Sequence, residues 1–130
     1  MTPEWACLAL TIYFEARSEP IEAQREVANV VLERVEDRRW PDTICGVVLQ
    51  GGEQLHLCQF SWYCDGKPDT PANRYAWNVA ISVAYESMQS KNSVFSGATH
   101  YHAYYASPYW ARELIYLGRV GDHLFYREDR

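Results

Sequence analysis

The sequence has no run approaching the roughly 18–20 uninterrupted apolar residues that a membrane-spanning helix requires, so membrane insertion is not expected. The opening Met1-Thr2-Pro3-Glu4-Trp5 lacks the basic start of a signal peptide, and any export is expected to use another route. Basic residues are scarce: 12 Lys and Arg stand against 17 Asp and Glu, for a net charge of -5 and a pI near 5.3. Such a chain opposes the polyphosphate of nucleic acid, whose binders display a basic face. No Cys-x-x-Cys pair occurs, so a structural zinc knuckle is not supported. Internal repeats, low-complexity stretches and interdomain linkers are missing too, and the Gly/Pro-rich pieces are short enough to be loops.

What is present fits one domain over residues 1–130, with 48% apolar and 22% charged residues, a usual globular mix. Trp5, Leu8 and Ile12 share one side of a helix from about Pro3 to Glu15. Ser18-Glu19-Pro20 starts a second helix, along which Val27, Val30, Val31 and Val35 recur until Trp40-Pro41 ends the pattern. Trp77, Ala80, Ile81, Ala84 and Met88 form the face of a third, roughly residues 71–90. Between these two, the apolar stretch 45–49, the aromatic segment 59–63 and the turn Asp65-Gly66-Lys67-Pro68 predict a small, irregular β-containing loop region. Residues 98–104 read as extended, 108–114 as a short helix and His123-Leu124-Phe125-Tyr126 as a closing strand. The expected fold is mainly α with a small β part, an α+β arrangement.

Ten Tyr, five Trp and four Phe are often set beside polar residues, as in Phe60-Ser61-Trp62-Tyr63. Rings in that company suit stacking on a wet, ring-shaped ligand, and they equally fill cores. Cys7, Cys45, Cys58 and Cys64 allow three full pairings, among which the sequence does not choose. Cys58 and Cys64 flank a segment that a hairpin-like loop would close into a bridge, while buried thiols fit as well.

At about 100° per residue, Glu15 falls within the arc of Leu8 and Ile12, and Arg17 projects to the opposite side. An ionised carboxylate on an apolar face is costly. It either pairs, with Arg17 or Arg25 as cations at hand, or takes a raised pKa and holds its proton near neutral pH. A carboxyl of the second kind can protonate a leaving sugar oxygen as positive charge develops at the anomeric carbon, which makes Glu15 the candidate general acid.

The string Ile12-Tyr13-Phe14-Glu15-Ala16-Arg17-Ser18-Glu19-Pro20 is followed by Glu22-Ala23-Gln24, Trp40-Pro41-Asp42-Thr43-Ile44-Cys45-Gly46-Val47-Val48 and Gln59-Phe60-Ser61. Asp65-Gly66, Ala98-Thr99-His100-Tyr101-His102 and Gly121-Asp122-His123-Leu124-Phe125-Tyr126 complete the set. Almost end to end, these blocks resemble the SleB-type cell-wall hydrolases, which include spore-cortex-lytic enzymes and related bacterial and phage proteins. Ser18 and Ala23 stand where relatives usually carry Gly, and Glu33 where they often carry Asn.

The resemblance implies a lysozyme-like fold and attack on the glycan strand of peptidoglycan, with Glu15 as the acid. In lytic transglycosylase members the acid protonates the oxygen linking N-acetylmuramic acid to N-acetylglucosamine. As base, it then helps the muramyl C6 hydroxyl close a 1,6-anhydro ring, with neither a carboxylate nucleophile nor a cofactor. Asp65, in its turn with Gly66, keeps a hydrolytic muramidase outcome open and is equally a turn residue capping its own backbone.

Gln59, Phe60, Ser61 and Trp62 alternate polar and aromatic side chains and are assigned to substrate contact, together with Asp65, Tyr101 and His102. The Tyr101 hydroxyl is a candidate to orient the acid or hold a sugar N-acetyl group. Gln24, an amide on the apolar arc of the second helix, needs a partner, with Glu15 a candidate. Gln24, Arg17 and His123 are read as supporting residues. The rival reading is a zinc amidase: His100 and His102 would share one face of a strand, and His123 would complete three ligands. A structural hydrogen bond is the plainer role for His123. A third class is a noncatalytic peptidoglycan-binding module with Glu15 merely paired, against which the whole Tyr-x-Glu-Ala-Arg segment argues. The expected partner is therefore the peptidoglycan glycan strand, met by a monomer acting on the bacterial wall, of host or phage origin.

Overall fold

The computed structural model describes residues 2–50 and 58–129. Helix α1 (Glu4–Ala16) buries Cys7, Leu8, Ile12 and Tyr13 along one side. Pro20, whose fixed φ suits a helix start, leads into α2 (Ile21–Val35), which buries Val27, Val30 and Val31. The short α3 (Ile44–Val48) is capped twice. Thr43 Oγ1 accepts from the Gly46 N–H at 3.0 Å, and the Glu4 carboxylate, reaching over from α1, accepts from Ile44 and Cys45 N–H at 2.7 and 3.1 Å. A Cys7–Cys45 disulfide ties the same two helices. Helix α4 (Arg74–Gln89) starts at Asn73, whose side chain accepts from the Ala76 N–H at 3.0 Å. The Tyr13 hydroxyl accepts from the N–H groups of Ala72 and Asn73, at 3.1 and 3.0 Å, and so fixes α4 against α1.

Of the β-containing loop expected between α2 and α4, residues 51–57 lie outside the described residues, and the described remainder is corrected by the structure. Among the described residues of 44–68, Ile44–Val48 is helical, Ser61–Cys64 forms a 3₁₀ turn and no strand occurs. Ile44, Val47 and Val48 are spaced for one helical face, and a five-residue apolar run does not by itself separate helix from strand. Cys58 and Cys64 form a disulfide around the 3₁₀ turn.

The sheet lies instead in the C-terminal third, with β1 (His100–Ala103), β2 (Ile115–Val120) and β3 (His123–Arg127) antiparallel in the order β1-β3-β2. The first and last of these match the extended segments expected. Residues 109–112 form a 3₁₀ turn within the expected short helix. Strand β2 has no counterpart in the sequence reading, because Ile115 and Tyr116 are both exposed and no inside-outside alternation announces it. Among the described residues, no helix is long and apolar enough to cross a membrane.

Two clusters of buried side chains meet at the end of α1. The larger joins α1, α3, α4 and the 3₁₀ turn, and the smaller joins Ala16, Val27, Val30, Ala98 and Phe125. Tyr101 packs against both. Glu19, in the corner between α1 and α2, accepts from the Asp122 N–H at 2.6 Å and pins the β2–β3 turn onto the helices. That turn needs Gly121, whose φ is 57°, since a Cβ there would run into the Glu19 carboxylate and lie 3.1 Å from Ala23 Cβ. Gly121→Ala is expected to lower unfolding stability by about 2 kcal/mol, combining left-handed strain with loss of the Glu19 tie. Urea denaturation checks this, and an unchanged midpoint would count against it.

Candidate active site

Glu15 sits in the last turn of α1, where the two clusters meet, and is half-buried as a residue. The Tyr101 hydroxyl, projecting from β1, donates to Glu15 Oε1 at 2.6 Å. Burial pushes the Glu15 pKa above its ordinary value, and the Tyr101 hydrogen bond opposes part of that rise. Tyr101 is pushed well up as well, by burial and then by the neighbouring carboxylate, so its hydroxyl keeps its proton and remains a donor. Neither cation weighed as a partner for Glu15 is engaged with it. Arg17 is exposed with its guanidinium 4.9 Å from the Tyr13 ring centre, and Arg25 pairs with Glu86 at 2.7 Å.

Glu15 opens onto a cavity of about 130 Å³ that is also lined by Arg34, Gln59, Phe60, His100, Tyr101 and Trp110. Beyond Gln59, His100 and Trp110 a shallower depression of about 290 Å³ continues past Tyr109, Glu113 and Glu128. Burial, aided by Arg34 and Arg39, pulls the His100 pKa down to about 4, so near neutrality this imidazole is uncharged. Arg34, buried and pulled down to about 10, stays cationic there. A wider depression of about 420 Å³ elsewhere is lined by charges that satisfy one another, with Arg39–Asp37 and Arg127–Asp129 each at 2.8 Å.

The cavity therefore brings together Glu15, Gln59, Phe60, His100 and Tyr101 of the residues singled out from sequence. The others lie elsewhere. Trp62 is buried and stacks on Phe14 with ring centres 5.3 Å apart, a core position rather than a substrate contact. Ser61 is exposed at the start of the 3₁₀ turn. The Asp65 carboxylate accepts from the Lys67 N–H at 2.9 Å and caps its own turn. Gln24 does not reach the acid: its amide donates to the Glu19 carbonyl at 3.1 Å. His102 shares a hydrogen bond with Tyr126 at 2.9 Å and faces a separate depression with Pro108 and Arg112.

His123 is buried against the Tyr101 ring, with Nδ1 3.6 Å from Glu19. The zinc arrangement is not formed, because His100, His102 and His123 do not converge. Among the described residues the group close enough to share an ion is Glu4, Cys7 and Cys45, where the sulfurs are bonded to each other and Glu4 caps α3.

Arg34 and Trp110 carried no site role in the sequence reading, and His100 entered it only as a ligand in the rival zinc arrangement. For Arg34 the signal was available. It follows Val27, Val30 and Val31 on the buried face of α2, a charge on an apolar arc, the pattern that pointed to Glu15.

The same fold is found in solved structures. The catalytic domain of the germination-specific lytic transglycosylase SleB from Bacillus anthracis superposes with a TM-score of 0.78 at 23% identity, covering 95% of this chain and 93% of that one. The catalytic domain of the Bacillus cereus SleB protein gives 0.71, also at 23% identity, covering 95% and 89%. In sequence, a spore cortex-lytic enzyme of Oceanobacillus iheyensis is 44% identical over 43 residues, 33% of this chain and 16% of that relative's length. The Cell Wall Hydrolase family matches residues 18–126, and the chain belongs to that family. The matched range begins just past Glu15.

Proposed function

We propose that the protein is a lytic transglycosylase that cuts the β-1,4 bond between N-acetylmuramic acid and N-acetylglucosamine in peptidoglycan, with Glu15 as its acid and then its base. The observation that carries this reading is the cavity's lining, in which Glu15 is the single carboxyl group among the described residues, held by one hydroxyl and no cation. Retaining hydrolysis uses a second carboxylate about 5–5.5 Å from the first, and Asp65 is not in the cavity to provide one. With Oε1 taken by Tyr101, Oε2 is the oxygen that carries the transferable proton.

In the first half-reaction that proton passes to the glycosidic oxygen as the bond to the muramyl C1 breaks. The Glu15 carboxylate, steadied by the Tyr101 O–H, faces the positive charge at C1. In the second half the muramyl C6 oxygen bonds to C1 and its proton returns to Glu15. No water is consumed, and the acid is restored. The work site would be the bacterial wall, and the family membership and the shared SleB fold support the choice of peptidoglycan.

Mass spectrometry of fragments released from purified peptidoglycan tests this directly. Anhydro-muropeptides are expected; reducing muropeptides one water heavier would replace the reading with a muramidase, free stem peptides with an amidase, and no release with a binding module. Activity should fall on the alkaline side as Glu15 loses its proton. Tyr101→Phe removes the one interaction that favours the carboxylate, so its alkaline limb is expected to move to higher pH while the plateau drops about tenfold from lost orientation. A limb that stays put or moves toward acid would show that Tyr101 does not act on Glu15.

A further inference from the structure

Arg34 is the charged group in the cavity that this chemistry leaves unused. It is 3% exposed, its Nε donates to the Thr99 carbonyl at 2.8 Å, and its guanidinium lies 5.1 and 5.6 Å from the ring centres of Trp40 and Phe60. Its Nη1 nevertheless has no hydrogen-bond partner among the described residues although it is buried. An orphaned donor on a buried cation is costly, and a guanidinium has donors only, so the missing partner is an acceptor oxygen. Arg34 is one of the residues that line the cavity beside Glu15. The cavity, about 130 Å³, adjoins the shallower depression of about 290 Å³ across Gln59, His100 and Trp110, so a sugar lying in the depression would direct one substituent into it. Phe60 and Trp110 supply apolar wall for a methyl group.

We infer that the cavity receives an acyl substituent of the amino sugar at the scissile bond, and that Arg34 Nη1 donates a hydrogen bond to its carbonyl or carboxylate oxygen. The assignment rests on the glycan reading above. Two substituents offer that oxygen, the 2-acetamido group common to both sugars and the 3-O-lactyl group confined to muramic acid.

Arg34→Gln separates Arg34's structural role from its proposed one. The glutamine Nε2 occupies the place of the arginine Nε and can keep the Thr99 tie, while the rest of the guanidinium is gone. Made in a Glu15→Gln protein, which binds without cutting, it is expected to weaken oligosaccharide binding by roughly ten- to hundredfold in calorimetric titration. Equal weakening toward chitotetraose and a peptide-free GlcNAc–MurNAc tetrasaccharide assigns the contact to the acetamido group. Weakening toward the muramyl ligand alone assigns it to the lactyl group.

Unchanged affinity for both, or a parent that binds neither, overturns the inference. As a second measurement with Arg34 intact, its guanidinium nitrogen resonances should shift on titration with the bound oligosaccharide, and stationary signals would overturn the inference even if the Gln variant unfolds. If wild type releases anhydro-muropeptides and Arg34→Gln binds normally, the Arg34 contact alone falls. If wild type cuts no glycan, the functional reading falls first.

Discussion

Glu15→Gln is expected to lower the rate of glycan cleavage by about 10²–10⁴-fold while leaving the fold intact, the range associated with loss of a positioned general acid. Glutamine preserves the shape of the side chain and an oxygen for the Tyr101 hydroxyl, 2.6 Å from Oε1 in the parent, but it has no acidic proton to give. The same substitution carries a stability signature. Burial raises the folded-state pKa of Glu15 above its unfolded value, so the fold favours the protonated carboxyl. That contribution is complete below the unfolded pKa and is lost as pH rises through the folded one. Thermal melts of parent and variant should therefore nearly coincide in acid, and the variant should melt higher at neutral and alkaline pH. A variant that cuts peptidoglycan at the parental rate would remove Glu15 from the chemistry. Melting curves with a pH-independent gap would remove the buried-acid argument beneath it.

The acid was legible in the sequence because helical periodicity is a strong constraint. Once Leu8 and Ile12 define the inward face of α1, Glu15 is carried onto it by the 3.6-residue repeat alone. Its hydroxyl partner was legible only as a candidate, since Glu15 and Tyr101 are 86 residues apart and meet through the packing of β1 on the helices. The segment from Gln59 to Trp62 was read by strand alternation, which would have put Gln59 and Ser61 on one face. A 3₁₀ turn has three residues per turn instead, so Trp62 goes into the core and Ser61 out to solvent. Trp110 enters the cavity from a short turn, too brief for any periodicity to give its side chain a direction.

Removing the Cys7–Cys45 bridge, as a double Cys→Ala variant, is expected to lower unfolding stability by about 4 kcal/mol. That is the order the loop-entropy model gives for a sequence separation of 38. The Cys58–Cys64 bridge closes a separation of 6 and should be worth roughly half as much. The larger bridge matters because of what it braces. Cys7 lies two turns before Glu15 on α1, and the Glu4 carboxylate that caps α3 lies one turn earlier still, so bridge and cap together hold the start of the acid's helix against α3. Relaxing that end frees α1 to shift relative to α3, while Tyr101 and Glu19 still tie the far end to the sheet side.

The expected result is a protein with a lower denaturation midpoint that keeps its acid but loses cleavage more steeply with temperature than the parent. Denaturant titrations with and without reductant measure the first effect, and activity against temperature the second. If reduction leaves the midpoint where it was, the bridge does not brace α1 in solution. Bonds of this kind persist where thiols are oxidised and are reduced in a typical cytosol. A large effect would therefore mean that the chain reaches full strength only where the proposed substrate is found, outside the cytoplasm.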